Sequence, residues 1–384
     1  MSKNNNYCPQ KWYWLTIDPE RKSLASCCSA DFQKIDVSWL KSNPGQLFNT
    51  PELKQDRRDM LKNIPVKSCE TACWAPERLG IPSHRQVTKT DLVNKPYQTD
   101  TAPDPVMLHI TMGTDCNLTC SYCTKRFSTA WLRDINNNGG YIDGYDADDR
   151  FTVNSKDKLK LKLSIKNVGE SEAYNLILDE ALKFKNLESA QIVGGEPFLY
   201  NDLIKVVSKV SAASIEIFSG LGVNPKRFEQ MLDQMPDKVS IAVSAENIGK
   251  QHEFNRYGVS YETFLTNLNA ISKRGLKYKF ASVVSNVTVH GFKEFQDNFS
   301  TSDDYLNVCV YPLYLRTNIL DQESKDRINA IEFKYRNDEI KAALNAPVDD
   351  EHYKMLKQFL PEFARRRNLT LDIFPESFIK WVLE

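Results

Sequence analysis

The 384-residue sequence predicts an α/β protein built on an open, partial (β/α)6 barrel, and three observations carry that prediction. From residue 106 onward, short apolar runs alternate six times with helix-like stretches, which argues for βαβ units and a parallel sheet. The first hundred residues lack this rhythm and hold a separate group of cysteines. Beyond Pro312 the pattern turns helical to the end of the chain. Three regions result: a cysteine-rich amino-terminal module over 1–100, the barrel over 101–315, and a helical carboxy-terminal region over 316–384.

In the module, the apolar run at 12–17 predicts a strand and the spacing at 51–64 an amphipathic helix. A segment so poor in long periodic elements would gain much from a metal staple. The proline-punctuated stretch 88–105 reads as a linker. Barrel strands are predicted at 106–112, 189–193, 214–218, 239–243, 278–284 and 306–310. Helices are predicted between them at 172–185, 201–210, 225–235, 260–273 and 292–298. The segment 133–170, rich in Asn, Asp, Gly and Lys, breaks the alternation and reads as an insertion or lid. In such a barrel the chemistry belongs at the carboxyl ends of the strands.

Composition narrows the function classes. Hydrophobic residues at 41% and charged residues at 26% are ordinary globular values. Lys+Arg and Asp+Glu both number 50, so net charge gives no reason to expect a nucleic-acid partner. The polar start, Met1-Ser-Lys-Asn, lacks a signal-peptide core, and no apolar run reaches membrane-spanning length. The expected location is cytoplasmic, without a membrane partner. There, clustered cysteines bind metal or do redox chemistry more often than they form disulfides. Cys8, Cys27, Cys28, Cys69 and Cys73 form one group, and Cys116, Cys120 and Cys123 another, so two sites are expected.

The second group follows the first barrel strand directly, in Cys116-Asn-Leu-Thr-Cys120-Ser-Tyr-Cys123. Three thiolates in one loop can hold three irons of a cubane and leave the fourth iron open. Zinc is the competing reading, but it favours paired motifs totalling four ligands, and only His109, inside the strand, lies near. After the second strand comes Gly194-Gly-Glu-Pro197. Two glycines let backbone approach a ligand closely, and Glu196 suits a charge-assisted bond from an ammonium.

The CxxxCxxC spacing, with Tyr122 before its last cysteine, resembles the signature of the radical S-adenosylmethionine (SAM) superfamily. Gly194, Gly195, Glu196 and Pro197 are similar to that family's GGEP turn. The stretch from Ser244 to Arg256 is similar to its SxDGxxxxHDxxR motif, with Glu246 and Glu253 for aspartates and Asn247 for glycine. The resemblance implies a TIM-like partial barrel, with Cys116, Cys120 and Cys123 holding a catalytic [4Fe–4S] cluster. It implies SAM bound by the Gly194–Pro197 turn, with Tyr122, Ser219, Ser244 and Arg256 as further contacts, Arg256 suited to the carboxylate. Reductive cleavage of SAM would give a 5′-deoxyadenosyl radical that takes hydrogen from a substrate, fed by an electron donor such as flavodoxin or ferredoxin. Where relatives often carry Thr-Asn after the third strand, this chain has Ser219 and Gly220.

Cys8, Cys27 or Cys28, Cys69 and Cys73 supply four ligands for the first group. Neighbouring side chains diverge in extended backbone, so Cys27 and Cys28 cannot readily both ligate one metal, and Cys27 is taken as the ligand. By spacing alone a structural zinc and an iron–sulfur cluster are equally good readings. The group resembles the SPASM/twitch auxiliary-cluster modules of radical SAM enzymes, here placed before the barrel. Cys69 through Arg85, Thr129-Ala-Trp131 and the tail from Phe363 fit the same subgroup. That resemblance implies an auxiliary iron–sulfur cluster. It implies a peptide or protein substrate first, and a nucleotide, carbohydrate or other small-molecule substrate as the alternative. A non-catalytic metal-binding protein is the remaining reading, against which the intact SAM motifs stand. Elsewhere, Trp12, Trp14 and Trp74 read as module core, Cys309 as a small buried hydrophobe, Asp115 as a turn residue, and Arg365 to Arg367 as a solvated helix face.

Overall fold

The computed structural model describes residues 6–78, 83–87, 97–142, 171–348 and 350–384. Part of the expected linker (88–96) and most of the expected insertion (143–170) lie outside the described residues. Eleven strands are described: β1 (Trp14–Asp18), β2 (Ser23–Ala25), β3 (Gln33–Lys34), β4 (Met107–Thr111), β5 (Thr119–Cys120), β6 (Leu187–Val193), β7 (Ala212–Ser219), β8 (Val239–Val243), β9 (Arg256–Tyr257), β10 (Lys277–Val284) and β11 (Tyr305–Val308). Nine form one sheet in the order β11-β10-β8-β7-β6-β4-β1-β2-β3. The six barrel strands, β4 to β11 in that order, are all parallel, with helices between successive strands, as the alternation predicts.

Strand periodicity sorts the two faces of this sheet. Leu108, Ile110, Ala190, Ile192, Ile215 and Ile217 point into the apolar core. The register row His109–Gln191–Glu216–Ser240 lies on the opposite, half-buried face. There Glu216 pairs with Lys279 at 3.0 Å and accepts from the Tyr305 hydroxyl at 2.9 Å.

The module is joined to the barrel through its first strand. β1 pairs in parallel with β4, Trp14 opposite Met107 and Ile17 opposite Ile110, and β2 adds antiparallel outside it. The strand expected at 12–17 begins two residues late, because Pro9 opens a helical turn, Gln10–Tyr13. That turn buries Trp12 between Tyr7 and Tyr97, stacked at 5.3 and 5.5 Å. The helix expected at 51–64 is Pro51–Leu61, capped by the Thr50 side chain and stopped where Asn63 turns left-handed (φ 62°).

Two expectations need correction. The alternation is not broken at residue 133, since the helix Thr129–Asn138 runs through it. Ser128 caps that helix, the i,i+4 pair Trp131 and Ile135 buries its apolar face, and Gly139 (φ 80°) ends it. The arginine run is not a solvated face either: only Arg365 is exposed. The Arg367 guanidinium lies 3.9 Å from the Phe363 ring centre and 4.7 Å from that of Trp131, and it donates to Thr119 Oγ1 at 2.9 Å and the Tyr141 hydroxyl at 2.8 Å. Arg366 sits over the Tyr141 ring at 3.9 Å. The helices Gln322–Asn329, Asn337–Leu344, Asp350–Arg366 and Glu376–Leu383 make up the expected helical end. Among the described residues no helix is long and apolar enough to cross a membrane.

Candidate cluster and cofactor site

The loop after β4 carries Cys116, Cys120 and Cys123, the first two buried and the third half-buried. Its shape is fixed from four sides. From the helix Thr129–Asn138, Thr129 Oγ1 accepts from the Cys116 amide (3.2 Å), and the Trp131 indole N–H donates to the Cys120 carbonyl (3.0 Å). From β9, Arg256 and Tyr257 pair antiparallel with Cys120 and Thr119. From the turn after β1, Glu20 accepts from the Thr114 amide at 2.7 Å. From the turn after β6, the Glu196 amide donates to the Asp115 carbonyl (2.8 Å) and the Gly195 amide to that of Gly113 (3.0 Å). Asp115 thus meets the glycine turn through its backbone carbonyl.

This last contact explains the two glycines. Gly194 has a φ of 100°, open to glycine at little cost, and a Cβ on Gly195 would fall 1.9 Å from the Asp115 carbonyl oxygen. The turn is therefore packed against the cysteine loop, which any side chain there would displace. Glu196 is itself buried, and its carboxylate accepts from Ser219 Oγ (2.8 Å), the Gly220 amide (3.0 Å) and the Phe198 amide (3.3 Å). Burial pushes its pKa up to about 6 against the pull of these donors. So Glu196 ties the ends of β6 and β7 together, and the Ser219 hydroxyl is spent on it. Ser244, after β8, is half-buried and bonded through its amide to the Ser219 carbonyl at 2.8 Å.

Gly220, in place of the relatives' asparagine, also has a steric reason. Leu118 of the cysteine loop fills the space over the β7 end, and a Cβ on Gly220 or Gly222 would come within 2.8 Å of its methyl groups.

Arg256 is placed beside the cluster loop but is not open on all sides. Its Nε and Nη2 meet both oxygens of Glu246, at 3.0 and 2.5 Å, and Nη2 also meets the Tyr122 hydroxyl. Nη1 lies 3.7 Å from Cys120 Sγ. The Tyr122 hydroxyl donates to Glu246 at 2.5 Å. Expected contacts Tyr122 and Arg256 thus meet through Glu246, which sequence reasoning noted only as a departure from aspartate. The signal was available, since glutamate reaches one methylene further. His252 of the same motif takes no part: it packs 4.3 Å from the Phe264 ring, in the core.

The donor set fits an iron–sulfur cubane. Burial first, and then the other thiols, push the Cys116 pKa well up, and Cys120 is raised to about 12. Three sulfurs that feel one another in this way would become thiolates on taking up iron. Among the described residues no three His, Cys, Asp or Glu side chains are gathered tightly enough to enclose a single ion. A cubane asks for less, because each thiolate binds its own iron.

The amino-terminal cysteines also come together. Cys8, Cys27, Cys69 and Cys73 are buried, and Cys28 is half-buried. Burial raises Cys8 to about 12, with Cys69 and Cys73 adding to it, and Cys27 is raised by burial and by Cys28. The neighbouring motif closes on itself: Glu77 accepts from Ser83 Oγ (2.5 Å) and Arg85 Nε (2.6 Å), and Arg85 stacks on Trp74 at 4.6 Å. Trp12, Trp14 and Trp74 are buried, as expected of a module core, and Cys309 is a buried residue just past β11.

Among curated proteins no match is found. Solved structures give distant likenesses. Native anSMEcpe with bound AdoMet and Cp18Cys peptide matches at a TM-score of 0.35 and 13% identity, over 58% of this chain and 57% of that one. Streptococcus suis SuiB bound to precursor peptide SuiA matches at a TM-score of 0.30 and 16% identity, over 58% and 46%. The chain thus covers less than two thirds of either structure's length. Residues 110–299, from β4 through β10 and including both the cysteine loop and the glycine turn, match the family model of the Radical SAM superfamily. This match makes residues 110–299 a radical SAM domain.

Proposed function

We propose that this protein is an enzyme that cleaves SAM reductively and uses the resulting 5′-deoxyadenosyl radical to abstract hydrogen from a peptide or protein substrate. The observation that carries the proposal is the packing of three clustered thiols, Cys116, Cys120 and Cys123, against the Gly194–Gly195 turn. When bound, the cluster supplies the electron that breaks a carbon–sulfur bond of SAM. The residues of the chain do the holding. The three thiolates would anchor the cluster, and the turn would offer backbone to the methionyl ammonium. Ser244 is bonded to Ser219, which holds Glu196 of that turn, and Arg256, steadied by Glu246 and Tyr122, keeps Nη1 at the cluster loop. Glu196 keeps β6 and β7 in register for this purpose.

The second cysteine group is proposed to hold an auxiliary iron–sulfur cluster on Cys8, Cys27, Cys69 and Cys73, in a module spanning 1–100. An external donor such as flavodoxin or ferredoxin would supply electrons in the cytoplasm. The preference for a peptide or protein rests on the resemblance of the module to SPASM/twitch proteins, whose members also act on sugars and nucleotides.

The test is anaerobic reconstitution, with iron and sulfide counted and 5′-deoxyadenosine measured from SAM. The wild type should form it, and Cys116→Ala/Cys120→Ala/Cys123→Ala should not. A fully iron-loaded wild type that never cleaves SAM would favour the non-catalytic reading. Deuterium passing into 5′-deoxyadenosine from a labelled peptide, and not from labelled nucleotides or sugars, would support the substrate class.

A further inference from the structure

The amino-terminal cysteines share their buried pocket with a lysine. Lys11 is only 2% exposed. Its ammonium donates to Asp56 Oδ2 at 2.7 Å and to Ser68 Oγ at 2.9 Å, beside Cys69, whose thiol pKa its charge pulls down against the rise from burial. Ser68 Oγ and Gln33 Nε2 donate to the same Asp56 oxygen, at 2.8 and 2.9 Å. The ammonium is therefore fixed in place by a small polar network.

The charges around this network do not balance. Next to Asp56 stands Arg57, which is fully buried. Its hydrogen bonds all end on neutral oxygens: the Lys11 carbonyl (2.8 Å), Asn49 Oδ1 (2.9 Å), the Phe48 carbonyl (2.8 Å) and the Asp100 carbonyl (3.2 Å). The Asp100 carboxylate is taken by Arg58 at 2.6 Å. Two buried cations thus face one buried carboxylate, whereas buried charge is normally paired. The groups able to supply the missing negative charge are the cysteines, once they become thiolates on a metal.

We propose that Lys11 is a positioning residue for an anionic iron–sulfur centre in the module: it holds the Cys69 thiolate and stabilises the electron that the centre accepts. This rests on the reading that the module binds such a centre, and it adds the residue that sets how readily the centre is reduced. Reduction adds a negative charge inside a buried site, where an adjacent fixed cation matters far more than in water. Hydrogen bonds and charge near the sulfurs are what tune such potentials.

The full-length protein would be reconstituted with iron and sulfide and titrated electrochemically, with reduction followed by EPR. Wild type, Lys11→Met and Lys11→Met/Asp56→Asn would be compared, the double variant removing the carboxylate that the single one leaves unpaired. Each would also be made in the Cys116→Ala/Cys120→Ala/Cys123→Ala background, so that the module centre is read alone. The expected result is a midpoint potential more negative than wild type for the module centre, with the potential of the other centre unmoved. Both centres loaded and the module potential unchanged would overturn the role of Lys11. No iron in the triple-cysteine background, or zinc in its place, would overturn the reading beneath it, and the metal count alone tells these failures apart.

Discussion

Gly195 and Glu246 show how single residues hold the site. A methyl group at 195 cannot be accommodated without moving the Asp115 carbonyl, one residue ahead of Cys116. Gly195→Ala should therefore cost about 1–3 kcal/mol as an overpacked variant and lower iron uptake at the three-cysteine loop. Urea denaturation and iron analysis check both. Glu246 is buried with Arg256 and accepts from the half-buried Tyr122. Removing one partner of such a pair leaves a buried charge alone, so Glu246→Ala should lose about 3–5 kcal/mol in denaturation measurements. At this scale the sequence was informative about chemistry and silent about partners. Cys116, Cys120, Cys123 and the glycine turn were found because their spacing carries the motif. That Ser219 is bound to Glu196 depends on two neighbouring strand ends meeting, and that Arg256 is bound to Glu246 on the short helix between them turning the chain back, and no local pattern records either.

Among the elements, the helix Thr129–Asn138 does most to shape the cysteine loop. Trp131 is fully buried and its indole N–H satisfies the Cys120 carbonyl. Trp131→Phe keeps most of the ring but removes one of the two donors to that carbonyl, the Cys123 amide being the other, which should cost about 0.5–1.5 kcal/mol. The same variant should lose its cluster faster on exposure to oxygen, as followed by the decay of visible absorbance. Barrel strands were legible to within a residue or two, because apolar alternation and flanking turns fix them locally. The β8 range, Val239–Val243, agrees with expectation at both ends. The start of the presumed insertion was misplaced because its Asn and Asp residues hid an i,i+4 apolar pair. Likewise the half-buried Arg366 and the buried Arg367 read as solvent-facing, since their partners Tyr141 and Trp131 lie far away in sequence.

Across the whole molecule, buried histidines predict an acid-sensitive fold. Burial lowers the pKa of His252 to about 3 and, with Arg327 adding to it, that of His290 to about 3. In the unfolded chain both would titrate near 6.5. Between those values the unfolded state binds more protons than the folded one, so stability is lost as pH falls below about 6.5. Each such proton weakens the fold by about 1.4 kcal/mol per pH unit. Urea midpoints measured from pH 7 to pH 4.5 should fall steadily, and a flat profile would contradict the burial. The joining of the module to the barrel through β1 and β4 was not legible, because parallel pairing of segments some ninety residues apart leaves no local trace. The central claim is that Cys116, Cys120 and Cys123 hold a cubane whose open corner takes SAM. The most direct measurement is the EPR spectrum of the reduced, reconstituted protein before and after SAM is added. A change in the cluster signal on adding SAM, absent in the triple alanine variant, is the predicted result. A signal indifferent to SAM in the fully loaded wild type would contradict the account.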